Sequence, residues 1–133
     1  SALGKAILAF SDEEFAASLI RGRDLQMFTR NTITDADEFM AELKRVRDRG
    51  YAYDRGETSL LATCVAAPVL NGSGTAVAAI SISGPTSRFN PKKDAAVIDS
   101  LLQAVAAISQ QLRTQSATAV KHNGGSASRR RAG

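Results

Sequence analysis

The stretch Tyr51-Ala-Tyr-Asp-Arg-Gly-Glu57, followed by Cys64-Val-Ala-Ala-Pro-Val-Leu70, Asn71-Gly-Ser-Gly74 and Thr75 through Ile80-Ser-Ile-Ser-Gly84, decides the fold. Asn-Gly between two apolar runs signals a β-hairpin. A turn centred on Gly72-Ser73 puts Leu70 opposite Thr75, Cys64 opposite Ser81 and Ala62 opposite Ser83. Opposed residues share a sheet face, and so do i, i+2 neighbours. Cys64, Ser81 and Ser83 are therefore expected on one face, as a small polar pocket would need. Pro68 marks an edge or a bulge.

Around the hairpin the pattern turns helical. Residues 2–10 read as a short apolar helix. Ser11 with Glu14 forms a capping box, opening a helix with Phe15, Leu19 and Ile20 on its apolar stripe and Gly22 at its end. Met27 and Phe28 fall in a polar segment read as extended. Thr34-Asp-Ala-Asp37 caps a longer helix in which Phe39, Met40, Leu43 and Val46 recur at helical spacing and Gly50 is the stop. Asn90-Pro91 opens the last helix, striped by Ile98, Leu101, Leu102, Val105, Ile108 and Leu112. Helices around an antiparallel hairpin indicate an α+β domain, and 133 residues suffice for one core. The apolar start without an initiator methionine reads as a piece of a longer protein.

Charge narrows the function. The chain carries a net +4, but Lys121 and Arg129 to Arg131 lie in 114–133, which holds no acid; residues 1–113 balance 13 basic against 13 acidic residues. A DNA-reading face needs an excess of base. The split is read as a neutral domain over 1–113 and a disordered basic tail over 114–133, with His122 exposed in that tail. Lys44 to Arg49 read as a solvated helix end, since Glu42 and Asp48 lie beside them. The first residues do not read as a signal peptide, since the apolar run 6–10 is too short and acids follow it at once, and no unbroken apolar run reaches membrane length. A single cysteine, Cys64, excludes an internal disulfide and fits a reducing cytoplasm.

Nucleophilic chemistry at Cys64 would need a base, and no histidine lies in 1–113. One cysteine without histidine makes a poor metal set. No catalytic residue, metal or cofactor is expected. A small hydrolase using Cys64 and a ligand-free oligomerisation module are the competing readings. Each polar residue also has a purely structural role open to it: Cys64 as a small hydrophobe, Ser81 and Ser83 as solvated hydroxyls, Asp54 as a turn cap.

The run Gly4-Lys-Ala-Ile-Leu-Ala9, Asn31-Thr-Ile-Thr-Asp35, Leu43…Val46-Arg47…Arg49-Gly-Tyr51, Asp54…Glu57…Cys64-Val-Ala-Ala-Pro-Val69 and Ala78-Ala-Ile-Ser-Ile-Ser-Gly-Pro85 resembles the C-terminal effector-binding domain of the IclR family of bacterial transcription regulators, across about 1–113. The resemblance implies a GAF/profilin-like sensor domain with a curved antiparallel sheet flanked by helices, here truncated at its opening strands. It implies a dimer or tetramer that meets operator DNA only through an N-terminal winged helix-turn-helix absent from this chain. It implies a small organic acid effector, a 2-oxo acid or an aromatic or aliphatic carboxylate. The acid's carboxylate would meet main-chain amides at Ala2, Leu3 and Gly4, while Asp54, Cys64, Ser81 and Ser83 would supply the side-chain contacts. The family's Gly-Leu-Arg or Gly-Val-Arg before the cysteine is replaced by Leu61-Ala-Thr63, a departure that bears on the pocket beside Cys64.

Overall fold

A computed structural model describes residues 1–124. Expectations for the His122 side chain and for 125–133, including Arg129 to Arg131, lie outside the described residues. Four helices, α1 (Ala2–Ala9), α2 (Glu13–Arg21), α3 (Ala36–Arg49) and α4 (Pro91–Gly124), accompany three strands, β1 (Ala52–Arg55), β2 (Ala62–Leu70) and β3 (Ala76–Pro85). The strands form one antiparallel sheet in the order β1-β2-β3, so the α+β expectation holds.

β2 lies between its neighbours and is covered on both faces, which is why it reads as a nearly continuous apolar run. One face, through Ala66 and Ala52, packs on Ala2, Ala6 and Ala9 of α1 and on Leu43 and Val46 of α3. The other, through Val65, Ala67 and Val69, packs on Leu101 and Val105 of α4.

The hairpin register differs from expectation. Cys64 opposes Ser83, Ala66 opposes Ser81 and Ala62 opposes Pro85. Residues 71–75 form a longer loop in which the Asn71 Oδ1 accepts from the Ser73 and Thr75 N–H groups at 3.0 Å each. Gly74, not Gly72, takes the left-handed backbone (φ 76°), and an irregularity follows at Val69/Leu70. A two-residue Asn-Gly turn needs positive φ at both central residues; here the Asn71 side chain holds the wider loop instead. The register moves by two, so the parity of faces survives.

Helix ends follow local chemistry with one correction. Asp12, not Ser11, caps α2, accepting from the Phe15 N–H at 2.9 Å; the Ser11 hydroxyl turns back to the Ile7 carbonyl at 2.7 Å. Ala16 and Ile20 carry the buried face of α2, and Phe15 is exposed. Asp35 caps α3, and Gly50 ends it in the left-handed region (φ 87°) with its N–H on the Val46 carbonyl. Asn90 caps α4 through the Lys93 N–H.

Met27 and Phe28 are exposed and form no strand. The Phe28 N–H bonds the Thr32 hydroxyl instead. α4 runs on to Gly124, into the segment read as a tail, and its residues 114–121 are exposed. Its 92–121 portion is long and apolar enough by length and mean hydropathy to cross a membrane, which the search for an unbroken run did not anticipate; Leu101 and Val105 within it are seated on the sheet.

The two sheet edges differ. On β1 the Arg49 Nε bonds the Tyr51 carbonyl at 2.6 Å and the Asn31 amide bonds the Arg55 carbonyl at 3.1 Å. β3 carries no charged residue along its ten positions, and Val77 and Ile82 are exposed on it.

Candidate functional site

Asp54 on β1, Cys64 on β2 and Ser83 on β3 form one row across the sheet, on the face that α1 covers. Ser81 lies in the adjoining row, Ala52–Ala66–Ser81. Within the first row the Ser83 hydroxyl donates to the Cys64 Sγ at 3.0 Å. Ser83 is exposed, while Cys64 and Ser81 are half-buried.

Asp54 is the buried member, and its own loop occupies both carboxylate oxygens. Oδ1 accepts from the Glu57 N–H at 2.8 Å and the Thr58 N–H at 3.4 Å, and Oδ2 from the Thr58 hydroxyl at 2.6 Å. Burial opposes ionisation of Asp54. The Thr58 hydroxyl and the Glu57 and Thr58 amides together outweigh it and hold the carboxyl below the ordinary aspartate value.

At the head of α1, Ser1 caps the helix, its Oγ accepting from the Gly4 N–H at 3.2 Å. First-turn amides have no acceptor inside their helix; among the described residues none bonds the Ala2 or Leu3 amide. Ala2 is buried and Leu3 is 40% exposed. The clefts of about 200–510 Å³ described on the molecule are lined by residues other than Asp54, Cys64, Ser81 and Ser83. Among the described residues no three His, Cys, Asp or Glu side chains gather into a metal set. The hydrogen-bonding neighbour of the Cys64 thiol is a hydroxyl, not a base.

One element of this region escaped the sequence reading. Lys5 is 2% exposed, with its Nζ 2.7 Å from Glu57 Oε1 and 3.7 Å from Glu42 Oε1. Glu42 in turn binds Arg45 and Arg49, each at 2.9 Å. The signal was present: positions 2, 5, 6 and 9 are the core stripe of a helix, and Lys5 stands in it among three alanines. The Asn31-Thr32 pair is a second such case. The Thr32 hydroxyl bonds the Glu57 carbonyl at 2.6 Å, tying the 28–33 segment to the loop that Asp54 organises.

A family model for the C-terminal domain of bacterial transcriptional regulators of the IclR type matches residues 1–110. The HTH-type transcriptional regulator BhcR of Paracoccus denitrificans (strain Pd 1222) is 36% identical over 109 residues, covering 82% of this chain and 39% of that protein. The Thermotoga maritima IclR crystal structure superposes with a TM-score of 0.80 at 36% identity, over 84% of this chain and 45% of that one. The inducer-binding domain of PobR from Acinetobacter, a double mutant in complex with 3-hydroxybenzoic acid, superposes with a TM-score of 0.70 at 31% identity, over 85% of this chain and 63% of that one. The chain thus spans about two fifths of the length of the curated relatives it matches. Those relatives are transcriptional regulators.

Proposed function

Since the chain belongs to the family of bacterial transcriptional regulator IclR C-terminal domains, we propose that it is the effector-sensing part of a cytoplasmic, DNA-binding regulator. Its effector is a small organic acid, either a 2-oxo acid or an aromatic or aliphatic carboxylate. The observation that carries this reading is the single cross-strand row Asp54–Cys64–Ser83, with Ser81 beside it, lying under α1. Unpartnered first-turn amides and the positive end of a helix dipole favour an anion. The acid's carboxylate therefore sits against the Ala2, Leu3 and Gly4 segment, and its remaining oxygens meet the hydroxyls of Ser81 and Ser83 and the Cys64 thiol.

Binding performs no chemistry in this reading; the hydrogen-bond partner of the Cys64 thiol is the Ser83 hydroxyl, and the Asp54 carboxylate is taken up by its own loop. It favours one arrangement of sensor domains in a homo-oligomer and so biases attached DNA-binding domains. Operator DNA is met by a winged helix-turn-helix elsewhere in the whole protein.

Thermal shift with pyruvate and with 3-hydroxybenzoate tests the proposal. A ligand held only by the folded state adds about 2.7 kcal/mol at a hundredfold excess over Kd. Stabilisation by neither acid, with the chain folded, favours the ligand-free oligomerisation module, a reading to which the lack of a described cleft at the polar row also lends weight.

A further inference from the structure

We propose that the buried Lys5–Glu57 ion pair is a positioning device, setting the distance between the head of α1 and the row Asp54–Cys64–Ser83 and thereby the length of acid the face accepts. The inference rests on the effector-binding reading above and adds to it the residue that sets specificity.

The argument begins with what α1 lacks. Its buried stripe is Ala2, Lys5, Ala6 and Ala9. Alanine methyls let a helix approach a sheet closely but offer no knob to fix its position along its own axis. That position is left to directional bonds. At the C-terminal end there are several: Arg47 bonds the Ala9 and Ser11 carbonyls at 2.6 and 3.0 Å, and the Ala76 N–H bonds the Phe10 carbonyl at 3.0 Å. Near the head, among the described residues, the tie from a side chain of α1 to the rest of the fold is Lys5, hydrogen-bonded to Glu57 at 2.7 Å, with Glu42 farther off at 3.7 Å.

Glu57 is suited to the task because it joins three parts. Its carboxylate holds Lys5, its N–H is held by Asp54, and its carbonyl by Thr32. The residue that anchors the amide end of the site therefore stands three positions along the chain from Asp54 and is hydrogen-bonded to it. A change in Glu57 length moves the head of α1 relative to the row without touching a proposed ligand contact.

The test compares Glu57→Asp, one methylene shorter, with Glu57→Gln, equal in length but uncharged. Calorimetric Kd values are measured on the full chain for pyruvate and 3-hydroxybenzoate, with thermal melts to verify cooperative folding. Glu57→Asp draws the head inward and raises the ratio of the 3-hydroxybenzoate Kd to the pyruvate Kd at least threefold; Glu57→Gln leaves that ratio within twofold of wild type. Should wild type take only one acid, the affinity for that acid carries the same comparison. If Glu57→Asp does not fold, Lys5→Arg, which pushes the head outward, lowers the ratio instead. A ratio unmoved in the folded variants, with Ser83→Ala still weakening both acids, overturns the positioning role alone. Failure of wild type to bind either acid overturns the effector reading and this inference with it.

Discussion

Asp54 keeps its charge against burial because three donors from its own loop favour the carboxylate. A carboxyl whose folded pKa lies below its unfolded value adds stability above the unfolded value, near 4, and that contribution is lost as pH falls through the folded value. Asp54→Asn is therefore expected to lower the urea midpoint at neutral pH and to converge on wild type below about pH 4. Some acid sensitivity persists in the variant. Burial opposes ionisation of Glu42, but Arg45, Lys5 and Arg49 outweigh it and lower its pKa too. The serines have a different test. Ser81→Ala and Ser83→Ala should each weaken effector binding by about 0.5–1.5 kcal/mol, the net worth of a neutral hydrogen bond, with the melting temperature unchanged. Equal affinity in both variants by calorimetry would move the site elsewhere. Cys64, Ser81 and Ser83 were legible from strand parity, which a register error of two does not disturb. Lys5 was not, because what buries it is an ion pair with Glu57, 52 positions away in sequence, and no local pattern names a partner at that distance.

Element boundaries were legible wherever the stop signal is a property of one residue. Gly50 is the clear case: its φ of 87° is a backbone region in which a side chain is strained. Gly50→Ala is expected to cost about 1–2 kcal/mol in chemical denaturation, from that strain alone. The β2–β3 loop shows the limit of such reasoning. Asn71-Gly72 could form the tight turn that its dipeptide favours, yet the Asn71 side chain satisfies two amides only in the wider loop. Competition between a backbone preference and side-chain bonding is decided by geometry that composition does not carry. The stripe of α2 failed for a related reason. Phe15 has the right spacing, but Ala16 faces the core and Phe15 stays outside, because α2 packs on α3 and α1 rather than on the sheet.

At the scale of the molecule, charge follows the division seen in the sequence, with residues 1–113 balanced. That portion should give no sequence-dependent mobility shift with operator DNA at moderate salt; a specific shift would place DNA recognition within it. The two faces of the sheet are also unlike in how they are held. α4 lays branched side chains, Leu101 and Val105, into Val65, Ala67 and Val69. α1 buries alanine methyls and one ammonium, with Leu8 partly buried beside them. Apolar area scales with the free energy of keeping a helix down, and alanines supply less of it per residue than leucine and valine do. Native-state amide exchange should find α1 opening at a lower free energy than β2 and α4, as a sub-global excursion that leaves the hairpin closed. Equal protection across α1 and α4 would contradict this. Such an opening would give an effector a low threshold: an acid bound at the head of α1 would have only to quiet that motion, and the ordering of eight residues would become the signal.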